Sequence, residues 1–412
     1  MKVRIKKGRA CGQVEAPPSK SMAHRLLICA GLADGISEIE GIADSQDVLA
    51  TIDCLTALGA RLERVPAEDG SAEGHIRIEG ADVRHRDYSV KLQCRESGST
   101  LRFFVPLCLA GEAEAQLCGS KRLMERPMEV YEDICRERGL LFCRSEEGLQ
   151  VRGPLKAGVF KVAGNISSQF ISGLLFAMPL LEGESRLEII PPVESRSYID
   201  MTLYALKTFG IRWDRPDENT IAIQGGQRYC PQRAKAEGDY SNAAFFQALD
   251  MLGGNVHVGN LDANSLQGDR VCVEMLRQLK SGRPELDISD CPDLGPILFA
   301  AAAADGRGAV FTGTERLKIK ESDRGRVMAQ VLDKFGVEVI MEENRIAIGG
   351  GGLKTPEETL YGFNDHRIVM AEAVLLSLTG GIIEGAEAVS KSFPDFFEKL
   401  RSLGIEVAEI ED

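Results

Sequence analysis

APPSKSMAHRLLICAGLADG, residues Ala16 to Gly35, is the stretch whose reading decides the fold. Pro17 and Pro18 bar a helix upstream, Ser19 and Ser21 are good N-caps, and the run from Met22 to Leu32 is apolar enough for a buried helix. Lys20 and Ser21 therefore stand at a helix start, where unpaired N–H groups and the positive end of the dipole favour anions. Arg25, one turn on, projects from the same face. Cations at that end oppose the dipole, at a cost of about 0.3–1 kcal/mol unless an anion offsets it. A bound anion explains them; a solvated helix start with incidental charges is the plainer alternative.

The pattern returns. Small polar residues lead into an apolar helix, then a glycine turn, then an alternating strand: SMAHRLLICAGLADGISEIEG from Ser21, STLRFFVPLCLAGEAEAQLCG from Ser99, SSQFISGLLFAMPLLEGESRLEI from Ser167, SNAAFFQALDMLGGNVHVGN from Ser241, DLGPILFAAAAADGRGAVFTG from Asp293 and DHRIVMAEAVLLSLTGGIIEG from Asp365. Six such units of roughly 50 to 80 residues make a repeat architecture. The helices carry almost no charge past their first turn, which places them inside a domain. Amphipathic helices alternate with them, at Asp47–Leu58, Met128–Arg138, Tyr198–Thr208, Asp269–Leu279, Asp323–Phe335 and Ser392–Leu403. The whole reads as an α/β protein with sheets outside and buried helices within.

A chain of 412 residues, 44% of them apolar, suggests two or three domains. Boundaries are expected at Ala16-Pro17-Pro18 and in the Gly-rich, polar stretch Gln224–Gly238, giving one domain of residues 1–17 plus 234–412 and another of 18–233. If the opening strand MKVRIKK pairs with the C-terminal half, the chain crosses twice and an active cleft is expected at the crossings. A net charge of −13 and 6% aromatic residues argue against nucleic-acid binding. Eleven scattered cysteines without C-x-x-C spacing fit buried thiols in a reducing cytoplasm. No His pair has zinc spacing, and no apolar run approaches a membrane span. Phosphate-loop and hydrolase fingerprints are missing too.

The helix starts carry more polar residues than capping needs: Lys20-Ser21-His24-Arg25, Ser97-Gly98-Ser99-Thr100-Arg102, Asn165-Ser167-Ser168-Gln169, Asp239-Ser241-Asn242, Asp293 and Asn364-Asp365-His366-Arg367. That surplus suggests a ligand with several anionic groups. Gly98 either lets a ligand approach the backbone or simply turns the chain. Arg126, before Pro127, is expected on a loop. In KIKESDR (318–324), Lys320 and Arg324 lie one turn apart beside Glu321, and Ser322 or Asp323 can cap the next helix. Asp293 is either an N-cap or a carboxylate in a cleft. Lys391 precedes a helix whose start carries Asp395.

In order, PSKSMAHR, SGSTLR, RLMERP, GNISSQF, SRSYIDMTL, GDYSNAAFF, LKIKESDR, NDHR and SKSFPDFF closely resemble the motifs of the 5-enolpyruvylshikimate-3-phosphate synthase family, over essentially the whole chain. The resemblance implies a two-domain inverse α/β barrel, each domain three βαβαββ repeats with buried parallel helices and outer sheets, joined by two crossover strands. It implies transfer of the enolpyruvyl group of phosphoenolpyruvate to the 5-hydroxyl of shikimate 3-phosphate, without metal or organic cofactor, by a cytoplasmic monomer. Lys20, Gly98, Arg126, Gln169, Arg324, Arg367 and Lys391 match the family's phosphoenolpyruvate site. Lys20, Ser21, Arg25, Ser167, Ser168, Gln169, Ser195, Tyr198, Asp293 and Lys320 match its shikimate 3-phosphate site. Asp293, Glu321 and Lys20 are the acid/base candidates. The chain departs from the family pattern at Glu96 and Phe103, in place of the usual Asn and Pro, and at Arg316, where an asparagine usually meets the shikimate phosphate. The sister transferase acting on UDP-N-acetylglucosamine is the alternative; its opening motif resembles Lys-Asn rather than Ser-Lys-Ser, and it uses a loop cysteine as acid. A non-catalytic relative binding anions or RNA is a further one, opposed by the acidic balance.

Overall fold

A computed structural model of the chain describes residues 1–66 and 74–410. Residues 67–73, and 411–412 at the end of the expected range 234–412, lie outside the described residues. Among the described residues, six helices are buried almost all round: α1 (Lys20–Gly31), α2 (Gly98–Leu109), α3 (Ser168–Ala177), α4 (Tyr240–Met251), α5 (Gly295–Asp305) and α6 (His366–Thr379). Their sequences dictate this, because past the first turn an apolar side chain points in nearly every direction and no polar face is left for solvent.

The chain divides into two compact units, Met1–Pro17 with Gly238–Asp412, and Pro18–Glu237. Each holds three of the buried helices. The expected cut at 233/234 needs correction, because it would sever the strand Arg233–Lys235, which pairs in parallel with Ile36–Glu40 in the second unit. Part of the supposed Gln224–Gly238 linker is thus a strand.

Among the described residues, five four-stranded sheets share one plan, a parallel pair followed by two antiparallel pairings. In the unit 18–237, for example, Val90–Gln93 lies parallel to Ala115–Cys118, which pairs antiparallel with Gly148–Arg152, and that strand with Leu141–Ser145. Strand residues alternate between buried and exposed, as in His75–Glu79, so one sheet face covers the helices and the other meets solvent. The N-terminal strand Lys2–Ile5 does pair with the C-terminal half, antiparallel to both Gly381–Glu384 and Val407–Ile410. Cys11–Glu15 pairs in parallel with Asn255–Gly259.

The fourth repeat departs from the six-fold pattern. Only residues 282–284 separate its amphipathic helix Cys272–Ser281 from the next repeat's strand Glu285–Asp287, too few for two strands, so its sheet has two strands among the described residues. Two expected helices also start later. Asp269 lies in the 3₁₀ turn Gly268–Val271, and Pro394 delays the last helix to Phe396–Ser402.

In the unit 18–237, Phe103 joins three helices. Its ring stands edge-on to Phe176 of α3 at 5.4 Å and to His24 of α1 at 6.4 Å, under the Arg25 guanidinium. Gly173 lets α3 approach α2, for a Cβ there would lie 2.5 Å from the Arg102 carbonyl oxygen. Phenylalanines 246, 393 and 396 form the corresponding aromatic cluster of the other unit.

One buried group opposes this packing. Glu372, within α6, is fully buried and neither carboxyl oxygen has a hydrogen-bond partner among the described residues. Burial, against a small opposing effect of Lys334, raises its pKa well above the ordinary 4.5. The folded state then binds a proton that the unfolded state has lost, so stability falls as pH rises from about 4.5 towards the folded value. Glu372→Leu is expected to raise stability at pH 7.5 by roughly 1–3 kcal/mol, with the gain shrinking towards pH 4.5. Urea unfolding of both proteins across that range measures it.

Candidate functional site

The polar residues singled out in the sequence gather at the N-terminal ends of the buried helices, a separate cluster in each unit. In the unit 18–237, Ser19 rather than Ser21 caps α1, accepting from the Met22 N–H at 3.3 Å, and Ser97 caps α2 through Thr100. Lys20 follows the cap with its ammonium 2.8 Å from Asp47 at the start of the helix Gln46–Ala57. Arg25 donates through Nε to Thr202 (2.9 Å), through Nη1 to the Ser21 carbonyl (2.6 Å), and through Nη2 to Ser172 (3.4 Å) and the Tyr198 carbonyl (2.9 Å). Four of its five N–H donors are thereby committed. It braces Ser21 and Tyr198 rather than presenting a bare fork to a ligand.

Gln169 carries a second chain of hydrogen bonds, accepting from Arg102 Nη1 at 2.7 Å and donating to the Ser99 hydroxyl at 2.9 Å. Ser167 caps α3 through the Gln169 N–H, and Ser168 is buried beside it. Arg126 follows the short helix Lys121–Met124, 9% exposed, and its Nε has no acceptor among the described residues. Its guanidinium occupies the place a Cβ on Gly98 would take, so Gly98 opens α2 because any side chain would expel Arg126. Ser195 is fully buried at φ 54°, a left-handed backbone that costs a non-glycine residue about 1 kcal/mol or more. His24, Thr51, Thr100 and Ser97 form a relay of hydrogen bonds at 2.7–2.8 Å. Burial, with Lys20 and Arg25 nearby, keeps His24 well below the usual histidine range and so neutral.

The other unit uses charge. Asp293 is not the cap of α5, for it lies in the 3₁₀ turn Pro292–Leu294 and its carboxylate meets Lys320 (3.0 Å), Arg324 (2.8 Å) and Arg367 (3.3 Å). Burial alone would raise its pKa, but Lys320, Arg367 and Arg324 outweigh that and hold the carboxyl well below the usual range. Arg324, 1% exposed, also binds Glu321 at 2.6 Å and Asp365 through Nε at 2.9 Å. Asp365 caps α6 through the Arg367 N–H and accepts from Ser322. Asp323, not Ser322, caps the helix Arg324–Lys334. Burial brings Lys320 down to about 8, with Asp293 opposing and Arg316 and Arg324 adding to the shift. Lys391 ends the 3₁₀ turn Ala386–Lys391 and donates to the Asn364 carbonyl. Arg316 is buried in the turn Glu315–Ile319, while Glu96 is half-buried beside Ser97.

Thus Lys20 and Arg126 stand in one cluster and Arg324, Arg367 and Lys391 in the other, none on an outer face. Asp47 and Asp365 are partners the sequence reading did not assign. Each sits at a helix start, where an acid is ordinarily read as serving the dipole alone. Among the described residues, no three His, Cys, Asp or Glu side chains are grouped to hold a metal ion, and no helix is long and apolar enough to cross a membrane.

Basic side chains at the starts of buried helices, three such helices in each unit, form an arrangement that suits phosphorylated or carboxylated small molecules. Two EPSP synthase structures from Acinetobacter baumannii share this fold. They have TM-scores of 0.78 and 0.79 at 24% and 23% identity, cover 99% and 100% of this chain, and are themselves covered completely. The 3-phosphoshikimate 1-carboxyvinyltransferases of Clostridium kluyveri and Clostridium acetobutylicum are each 38% identical to it, with 97% of this chain and 96% of the relative covered. Residues 5–400 match the family EPSP synthase (3-phosphoshikimate 1-carboxyvinyltransferase). The chain belongs to that family.

Asp365 is the joint of the charged cluster, since it holds both the start of α6 and Arg324. Asp365→Ala should cost about 3–5 kcal/mol in folding stability, the usual effect of stripping one partner from a buried ion pair. Guanidinium unfolding measures it.

Proposed function

We propose that this chain transfers the enolpyruvyl group of phosphoenolpyruvate to the 5-hydroxyl of shikimate 3-phosphate, releasing phosphate, as a step towards chorismate and the aromatic amino acids. The observation that carries this is the family match over residues 5–400, with relatives of that activity 38% identical along nearly their whole length.

Phosphoenolpyruvate brings a phosphate and a carboxylate, and is held by Lys20, Arg126, Gln169, Arg324, Arg367 and Lys391, close against the backbone at Gly98. Arg126 and Arg367 suit an anion because each is buried with donors that have no acceptor among the described residues, Nε on Arg126 and both Nε and Nη1 on Arg367. Shikimate 3-phosphate is held by Lys20, Ser21, Ser167, Ser168, Gln169, Ser195, Tyr198, Asp293 and Lys320, with Arg25 bracing Ser21 and Tyr198, and with Arg316 and Glu96 at the margin.

Addition joins the 5-oxygen to C2 of phosphoenolpyruvate while a proton goes to its methylene carbon. Elimination then breaks the bond from C2 to phosphate, and loss of a methyl proton restores the double bond. Asp293, Glu321 and Lys20 are the candidates to take the hydroxyl proton and to deliver one to carbon, and Asp293 would gain basicity only as its three cations turn towards substrate. The surrounding cations stabilise charge on the departing phosphate.

Phosphate release from phosphoenolpyruvate, assayed with and without shikimate 3-phosphate, tests the reading. Turnover is expected only with shikimate 3-phosphate; turnover with UDP-N-acetylglucosamine instead would establish the sister reaction. Lys20→Met should lower kcat/KM at least ~10²-fold, and near-normal activity in that variant would remove its anchoring role. Asp293→Ala should cut kcat at least ~10²-fold in a folded protein, whereas a rise in KM alone would leave it a binding residue.

A further inference from the structure

Two rungs join α1 to the helix Gln46–Ala57, one turn apart on both. Lys20 meets Asp47 at 2.8 Å, and four residues further along each helix the His24 Nδ1 meets the Thr51 hydroxyl at 2.7 Å. The second rung continues into α2. Thr51 bonds to Thr100 at 2.8 Å and Thr100 to Ser97 at 2.8 Å, so four side chains run from beside Lys20 to the residue before Gly98. His24 is 1% exposed and the other three are fully buried. Their direction follows from counting protons. Were Nε2 the protonated nitrogen, a buried N–H would lack an acceptor, since Nε2 has no partner among the described residues. Buried N–H groups left without an acceptor are rarer than acceptors left short of a donor. The proton therefore sits on Nδ1, which donates to Thr51. Thr51 then donates to Thr100 and Thr100 to Ser97, whose oxygen also accepts from the Thr100 N–H at 3.2 Å.

We propose that His24 is a positioning residue for Lys20, fixing through Thr51 the register of α1 against the helix Gln46–Ala57 and hence the place where the Lys20 ammonium meets phosphoenolpyruvate. The ion pair alone cannot do this. Lysine is a point charge on a flexible four-carbon stem, and Asp47 would still hold it if the two helices slid by about 1 Å. A hydrogen bond of 2.7 Å between a planar ring and a buried hydroxyl does not survive that shift. Packing does not call for histidine either. The ring stands edge-on to Phe103 at 6.4 Å, a place that leucine would fill without burying an unpaired nitrogen. Burial, with Lys20 and Arg25 adding, keeps His24 neutral, so the ring brings no second positive charge to the helix start.

The inference takes its substrate from the functional reading above, and its test separates the two. With saturating shikimate 3-phosphate, kcat/KM for phosphoenolpyruvate is measured in the wild type, His24→Leu, Thr51→Val and His24→Asn, each with Lys20 present and each with Lys20→Met. His24→Leu and Thr51→Val should each lower kcat/KM about 10- to 100-fold, the effect of misplacing a group in the site by about 1 Å. His24→Asn, whose amide can donate from the place of Nδ1, should recover most of the loss. In the Lys20→Met background neither loss should recur, because no ammonium is left to place. Residues that merely hold the fold would lose the same factor in both backgrounds, and that result overturns the proposal. So does a His24→Asn variant no more active than His24→Leu. Should one of His24→Leu and Thr51→Val fail to fold, the other decides; failure of both overturns the proposal as well. A wild type with no turnover overturns the functional reading, and this inference with it.

Discussion

A guanidinium with 1% of its surface exposed cannot stay in a protein interior without carboxylates around it, and Arg324 has three. Removing a charge from water costs several kcal/mol even after the protein relaxes, and excellent hydrogen bonding is needed to offset it. Arg324 meets that demand with Asp293, Glu321 and Asp365, which come from three separate segments of the chain. Since Asp365 also caps α6 and Asp293 also binds Lys320 and Arg367, the position of one arginine ties the 3₁₀ turn before α5, the start of α6 and the helix Arg324–Lys334 together.

The two units solve the same problem by different means. In the unit 18–237 the arginines at the helix starts are held by neutral partners, Arg25 by hydroxyls and carbonyls and Arg102 by Gln169 and the Pro127 carbonyl, while Lys20 meets the Asp47 carboxylate. Neutral acceptors leave most of the positive charge uncompensated, so those helix starts retain their pull on anions. In the other unit the cations are matched by carboxylates. That arrangement favours groups that move protons, because each carboxyl senses several charges and shifts when one of them changes.

Much of this was legible in the residues. Charge-free helices repeating at regular intervals announce burial, and serine or aspartate before each announces a cap, so the six central helices and the chemistry at their starts follow from pattern alone. The resemblance of KIKESDR and PSKSMAHR to one family added the roles. Local pattern misled where it met tertiary demands. Asp293 reads as a cap because it stands before an apolar run, yet three cations drawn from elsewhere in the chain hold its carboxylate. Residues 233–235 read as linker because nothing in RAK marks a strand, and they are one only because Ile36–Glu40 offers an unpaired edge. The shortened fourth repeat was hidden because its helix is as amphipathic as the others.

By itself, then, the sequence determined the α/β class, the six buried helices with basic residues at their starts, and the family. Periodicity, capping and motif order are properties of neighbouring residues and need no knowledge of distant ones. Which charges face each other was decided only by the tertiary structure: Lys20 with Asp47, Arg126 upon Gly98, and Asp293 among Lys320, Arg324 and Arg367. Coulombic and desolvation energies depend on separation in space and on exclusion of water, and positions far apart in the chain acquire both only when it folds.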